Sequence, residues 1–235
     1  MARRIAGAAH RGDDGELVDR AARFAALGDP VRLALVDDLV TSDRSPVELA
    51  RRHGLSASLL AHHLDVLEAA GLIVRSVSAG DRRRRYVRLD RAAIVGLDTL
   101  AAPMTPAVVP DTVVFICTAA SARSQLAAAL WRERSSGTAV AAGTDPAPEV
   151  HPGALAAAHR AGLGIPDAAP RSLDEVSIDG ALVITVCDRA HEELGARDGW
   201  RHWSVVDPVV QGSVLAFDTC VAELELHIDA LVGAA

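Results

Sequence analysis

One run in this chain carries chemistry at a telling spacing: Cys117-Thr118-Ala119-Ala120-Ser121-Ala122-Arg123-Ser124. Small residues let successive backbone N–H groups turn inward and form a nest for an anion. Arg123, six positions after the cysteine, can grip two oxygens of an oxyanion together. A helix starting here would add the positive potential of its N-terminus. The same field favours a thiolate at Cys117, which would then be a nucleophile, and Ser124 can donate a hydrogen bond to it. A lone cysteine at a strand end is commonly a buried structural thiol. An arginine at this spacing favours the nucleophile.

The flanking residues supply the required elements. DTVVFIC is a continuous apolar run, as expected of a buried parallel strand, and it ends at Cys117. SQLAAALWRER, 124–134, follows as a helix. Upstream, residues 101–110 (AAPMTPAVVP) hold three prolines and no charge, the composition of a linker. A chain of 235 residues is long enough for two domains on either side of it.

Charge divides the chain in the same place. Residues 1–100 carry 16 arginines against 14 carboxylates, whereas residues 101–235 carry 8 against 17. A mildly basic half suits nucleic acid and a strongly acidic half avoids it. The chain has no lysine, which excludes chemistry that needs a lysine amine. Its three cysteines, Cys117, Cys187 and Cys220, fit neither a disulfide framework nor a zinc site, so reduced thiols are expected. His151, His159, His191 and His227 are scattered, and neither a metal nor a tightly bound cofactor is expected. No apolar run approaches the ~20 residues of a membrane span. The N-terminus turns acidic before a signal core can form, so a cytoplasmic protein is expected.

The first half reads as helices over 16–27 and 30–40, a short helix over 46–53 ended by Gly54, and a helix capped by Ser56 that runs to about Ala70. Leu60, Leu64 and Leu67 lie on one face of that last helix. Two strand-like runs, 72–76 and 86–89, flank a turn that ends in four arginines, Arg82, Arg83, Arg84 and Arg85. A helix-turn-helix followed by an Arg-tipped hairpin is what a phosphate-gripping wing requires.

Residues 15–100 resemble the ArsR-type winged-helix repressors through FAALGDPVRLALVDDL, ELARRHGLSASLLAHHLDVLEAAGLI and GDRRRRYVRL. The resemblance implies a homodimer on a double-stranded DNA operator. On the recognition helix, Ser58, His62 and His63 are the polar groups expected at the groove, with Arg82 to Arg85 on phosphates. The half has no cysteine, which excludes the thiolate metalloid sites of many family members.

Residues 111–234 resemble the low-molecular-weight phosphatase superfamily, and within it the arsenate reductases. Besides the Cys117 loop, the matching stretches are AAGTDPAPEVHPGALAAAHRAGL, RSLDEV, ALVITVCD and HWSVVDP. The resemblance implies an α/β domain with a four-stranded parallel sheet. It makes Cys117 the nucleophile, Arg123 the oxyanion grip, Ser124 the thiolate support and Asp207 the general acid, with Thr118 to Arg123 binding the oxyanion. Val209 and Val210 stand where the phosphatase branch usually has tyrosines, which favours arsenate over phosphotyrosine. Cys187 matches the first resolving cysteine of thioredoxin-coupled reductases. The next one would fall at Leu194, so a low-molecular-weight thiol such as mycothiol, by a glutaredoxin-type route, is the other reductant to consider. Cys220 fits a buried apolar role. Ala119-Ala120 stands where the family usually has Gly-Asn, a pair that tolerates left-handed backbone angles at lower cost than alanine.

The expected organisation is thus a winged helix-turn-helix over 1–100, a linker over 101–110 and an α/β domain over 111–235. Three functions fit it: an arsenic-responsive regulator fused to an arsenate reductase, a regulator whose reductase-like domain only senses an oxyanion, or a phosphatase fused to a DNA-binding domain.

Overall fold

The computed structural model describes residues 13–91, 93, 111–166 and 169–232. The linker expected over 101–110 lies outside them. The first unit is helical. α1 (Asp13–Leu27) ends at Gly28, and Asp29 then caps α2 (Pro30–Thr41) by accepting from the N–H groups of Val31 and Arg32 at 2.9 and 3.0 Å. Pro30 suits the first turn because its missing N–H would have no helical partner there. α3 (Pro46–His53) starts with a capping box between Ser45 and Glu48 and stops at Gly54, whose φ of 63° a glycine adopts without strain. α4 (Ala57–Ala69) starts from the Ser56 cap.

Leu35, Leu39, Leu49, Leu60, Leu64, Leu67 and Leu72 form the centre of this unit and are buried. The hairpin β1 (Ile73–Val77) and β2 (Arg85–Leu89) pairs antiparallel, with Ile73 opposite Leu89. Arg44, just before α3, adds a bridge to Val87 and ties the hairpin to the helices.

The second unit alternates strands and helices: β3 (Thr112–Cys117), α5 (Arg123–Arg134), β4 (Thr138–Gly143), α6 (Pro152–Arg160), a 3-10 turn (Leu173–Glu175), β5 (Leu182–Thr185), α7 (Asp188–Leu194), β6 (Arg201–His202), α8 (Pro208–Gln211) and α9 (Val214–Val232). The four strands are parallel in the order β4-β3-β5-β6. The chain runs outward from β3 to one edge with β4 and returns to the other side with β5. Such a switch point leaves a crevice at the carboxyl end of the central strand. Cys117 ends that strand.

The two units meet through polar groups withdrawn from water. Ser42 Oγ accepts the His202 N–H at 2.8 Å, and the Asp43 N–H donates to the His202 carbonyl at 2.7 Å. Asp43 Oδ2 accepts from Ser204 N at 2.6 Å, and Trp203 Nε1 donates to the Thr41 carbonyl at 3.1 Å. Arg88 reaches Glu223, and Arg91 donates to His227 Nδ1 at 2.9 Å. Burial pushes the Asp43 carboxyl up to about 7 and holds His202 and His227 below the usual histidine range. Unpaired polar groups here would cost about 1–3 kcal/mol each, so satisfying them selects one register between the units. No described helix is long and apolar enough to cross a membrane.

Candidate functional site

The loop after β3 is tied from behind, one carbonyl at a time. The carbonyls of Cys117, Thr118 and Ala119 accept from the N–H groups of Thr144, Asp145 and Ala147 at 3.2, 2.9 and 2.8 Å. Ala120 accepts from the Gln125 side-chain amide at 2.8 Å, Ser121 from His151 N–H at 2.8 Å and Ala122 from Leu126 N–H at 2.9 Å. With every carbonyl from 117 to 122 committed outward, the N–H groups of 118–123 donate to no other described protein group. Five of these six residues, all but Ala120, line one hollow at the start of a 12-residue helix, an arrangement able to hold an anion.

Two residues set that curvature. Ala120 has a φ of 48°, the sole positive φ among the described non-glycine residues. Of the Ala119-Ala120 pair, only Ala120 therefore adopts the left-handed angle, at a cost of about 1 kcal/mol. Gly143, at the end of β4, lets the loop approach the neighbouring strand. A Cβ there would sit 2.5 Å from the Thr118 carbonyl oxygen and 3.0 Å from Ala120 N. Neither Gln125 nor Gly143 stood out in the sequence. Gly143 carries a weak signal as the glycine that ends an apolar strand, and Gln125 carries none.

The reactive side chains converge on the hollow. Cys117 Sγ and Ser124 Oγ lie 3.2 Å apart, and both residues are buried. Arg123 donates to Asp207 Oδ2 at 2.6 Å and to the Val205 carbonyl at 3.1 Å. Burial opposes the charge of Arg123, but the sulfurs of Cys187 and Cys117 and the carboxylate of Asp207 outweigh it and hold the guanidinium protonated above its usual range. Asp207 caps α8 and accepts from Val209 N at 3.0 Å, so its carboxylate is held at the mouth of the loop, on the arginine an oxyanion would compete for. Cys187 lies two residues past β5, as the N-cap of α7, and its Sγ is 3.4 Å from Thr118 Oγ1. Cys117, Thr118, Ala119, Ser121, Ala122, Arg123, Cys187 and Asp207 thus line one cleft of about 500 Å³, with Val209, Val210 and Gln211 on its wall. Ala120 faces away and is fully buried. Arg189, Val206 and Ala79 complete the wall, and Ala79 belongs to the hairpin of the other unit. Cys220 lies in α9, where burial pushes its thiol up to about 12. Among the described residues, no group of three or more His, Cys, Asp or Glu could hold a metal ion.

On the helical unit, Ser58 and His62 are exposed on α4, as a groove-facing role requires. His63 is not. It is 7% exposed and lies 3.9 Å from Asp29, which withdraws it from any groove. Position 63 falls three residues after Leu60 and four before Leu67, on the core side of the helix. Arg82, Arg83, Arg84 and Arg85 are all exposed, and Arg83 also reaches Asp81 at 3.0 Å.

Comparison with known proteins agrees with this division. The family model of low molecular weight phosphotyrosine protein phosphatases matches residues 112–235, and a helix-turn-helix domain model matches residues 27–76. No curated protein matches the chain. Similar solved structures include an arsenate reductase from Archaeoglobus fulgidus (29% identity, covering 52% of this chain and 98% of that one, TM-score 0.45). Others are the YwlE arginine phosphatase from Geobacillus stearothermophilus (23%, 52% and 90%, 0.45) and the tyrosine phosphatase Wzb from Escherichia coli K30 (18%, 53% and 97%, 0.47). With more than half of its length matched by that family model, the chain belongs to the low molecular weight phosphotyrosine protein phosphatase family and carries a helix-turn-helix domain ahead of that domain.

Proposed function

We propose that this protein is an arsenic-responsive DNA-binding regulator of the ArsR type whose phosphatase-like domain reduces arsenate to arsenite. The observation that carries the reading is the second thiol at the loop: Cys187 lies against Thr118, one residue from Cys117, and beside the same arginine. A phosphatase frees its cysteine with water and needs no second thiol. A reductase does need one.

Arsenate enters the nest of N–H groups from 118 to 123, displaces Asp207 from Arg123 and takes the guanidinium as a bidentate clamp. Cys117 attacks arsenic as the thiolate, supported by Ser124, and an S–As bond forms. Asp207, released from Arg123, takes up a proton from solvent and passes it to the leaving oxygen, which departs as water. Cys187 then attacks Cys117 sulfur as a thiolate. The S–S bond forms as the S–As bond breaks, and its electron pair stays on arsenic, which leaves as arsenite. Arsenic gains two electrons and the two thiols lose two. An external thiol, either thioredoxin or a low-molecular-weight thiol of the mycothiol/glutaredoxin type, must reduce the disulfide. No tightly bound cofactor enters the scheme.

The DNA-binding part rests on the exposed Arg82–Arg85 run and the exposed α4 residues Ser58 and His62. Homodimerisation would cover Leu17 and Val18, which are 61% and 65% exposed on α1. A second reading has the domain bind the oxyanion without turning it over, as a sensor, and the left-handed Ala120 favours it because the loop geometry is reached against strain. The test is arsenite formation with each thiol donor, beside hydrolysis of p-nitrophenyl phosphate by the same preparation. Arsenite that depends on both Cys117 and Cys187 supports the reductase. Phosphate protection of Cys117 without turnover selects the sensor, and hydrolysis without arsenite selects a phosphatase.

A further inference from the structure

The hairpin that carries the arginines is fastened to the helix that carries the second thiol. At its tip, Ser78 Oγ donates to Glu192 Oε1, the Asp81 N–H donates to Glu192 Oε2 and the Ala79 N–H donates to Asp188 Oδ2, each at 2.7 Å. Hydrogen bonds to ionised carboxylates are about twice as strong as neutral ones. Gly80 seats the turn directly on α7: a Cβ there would stand 2.9 Å from Arg189 Cα and 2.5 Å from Glu192 Oε2. Cys187 is the cap of this same helix. The first turn of α7 therefore packs against the wing turn, and Ala79 of that turn and Arg189 of that helix both line the cleft. The backbone of Arg189 lies under Gly80, 2.9 Å from the Cβ position there.

We propose that the turn Ser78–Asp81 couples the two halves, so that an oxyanion in the 117–123 loop and DNA on the arginine wing alter each other's affinity through α7. An oxyanion on Arg123 releases Asp207 and fills the cleft that the first turn of α7 helps to line, and any shift of that turn moves the seat of Gly80. DNA acts from the other end, because Arg82–Arg85 follow the turn directly and phosphate contacts pull on the same hairpin. Linkage requires the two effects to be equal in size. The proposal rests on the reading above, that the loop binds an oxyanion and the winged helix binds DNA.

The test uses the full chain, a labelled duplex from its own promoter region and inorganic phosphate, with chloride at matched ionic strength as the control. Duplex affinity is read by fluorescence anisotropy and loop occupancy by protection of Cys117 from iodoacetamide. Saturating phosphate should change the duplex Kd by about fivefold or more, the lower end of measured couplings. Bound duplex should shift the phosphate midpoint by the same factor. Gly80→Val, which crowds only the seat on α7, should keep the phosphate protection and lose the coupling to below about twofold. Coupling at full strength in Gly80→Val overturns the wing turn as the conduit and leaves the reading of the two sites intact. Full protection of Cys117 with an unchanged duplex Kd in the unsubstituted protein overturns the coupling altogether. Failure of phosphate to protect Cys117, or of the duplex to bind, overturns the underlying reading and this proposal with it. Should Gly80→Val not fold, hydrogen exchange at the Ala79 and Asp81 amides of the unsubstituted protein decides: exchange unchanged by phosphate contradicts the proposal.

Discussion

Replacing Gly143 by alanine should disable the anion loop while leaving every reactive side chain in place. Gly143 pairs with Cys117 across β4 and β3, and its φ lies outside the left-handed range, so alanine meets no backbone strain there. The obstacle is contact. The new Cβ would stand 2.5 Å from the Thr118 carbonyl oxygen. A C···O contact settles at about 3.3 Å, so the loop backbone must retreat by about 0.8 Å. The carbonyl cannot swing aside freely, because Asp145 N–H holds it at 2.9 Å. Such overpacking costs about 1–3 kcal/mol. At about 2–4 °C per kcal/mol for a chain of this size, melting should fall by a few degrees to about 10 °C. Function should suffer far more, since a misplacement near 1 Å at a reacting centre costs on the order of 100-fold. The assays are a thermal melt, the phosphate concentration that half-protects Cys117, and kcat/KM for p-nitrophenyl phosphate and arsenate. A folded Gly143→Ala protein whose midpoint and turnover stay within about threefold of the parent would refute the close-approach argument.

The other predictions concern particular side chains. Iodoacetamide at pH 7 should modify Cys117 and spare Cys220, whose thiol burial holds up to about 12, and peptide mapping that finds the two labelled at equal rates would deny that burial. Replacing Arg82–Arg85 by alanine should lower the salt slope of DNA binding by roughly three to four, at about 0.9 per phosphate contact, and an unchanged slope would move the DNA surface elsewhere. Asp43 ordinarily titrates near 3.8 but near 7 when folded, so the folded state holds more protons between these values and the residue's contribution falls as pH rises through them. Asp43→Asn removes that loss, so its melting temperature relative to the parent should climb from pH 5 to pH 8, by an amount reflecting up to roughly 3 kcal/mol, at about 1.36 kcal/mol per pH unit over the two units from 5 to 7. A difference that stays flat with pH would mean that Asp43 is not withdrawn from water.

What could be read in advance was whatever lies contiguous in the chain. Cys117 to Ser124 is a single loop, its anion-binding logic is local, and the structure keeps the sequence order of strand, loop and helix. The helix caps Ser45 and Ser56 are equally local. His63 is expected at the groove from its polarity, but it shares the helical phase of Leu60, Leu64 and Leu67, and that phase outweighs the polarity and buries it. The hidden parts depend on distant partners. The carbonyls of 117–121 are satisfied largely by backbone from 144–151, whose side chains carry no trace of the role. Ser42 finds His202 across 160 positions, and Ser78 finds Glu192 across 114. Periodicity cannot register such pairings, because buried Ser, Asp and His look like surface residues until their partners are known.

Mass spectrometry of one arsenate turnover without added reductant decides whether Cys117 and Cys187 act as a reductase pair. The protein is fully reduced, mixed with excess arsenate, quenched with acid and digested, while arsenite is quantified in the same sample. Reduction through the Cys117–Cys187 pair should give about one equivalent of arsenite, a mass loss of two hydrogens and a disulfide joining the Cys117 and Cys187 peptides, with Cys220 still a free thiol. Neither arsenite nor disulfide, from a preparation that hydrolyses p-nitrophenyl phosphate, would contradict it and make the second thiol at the loop a bystander to phosphatase chemistry.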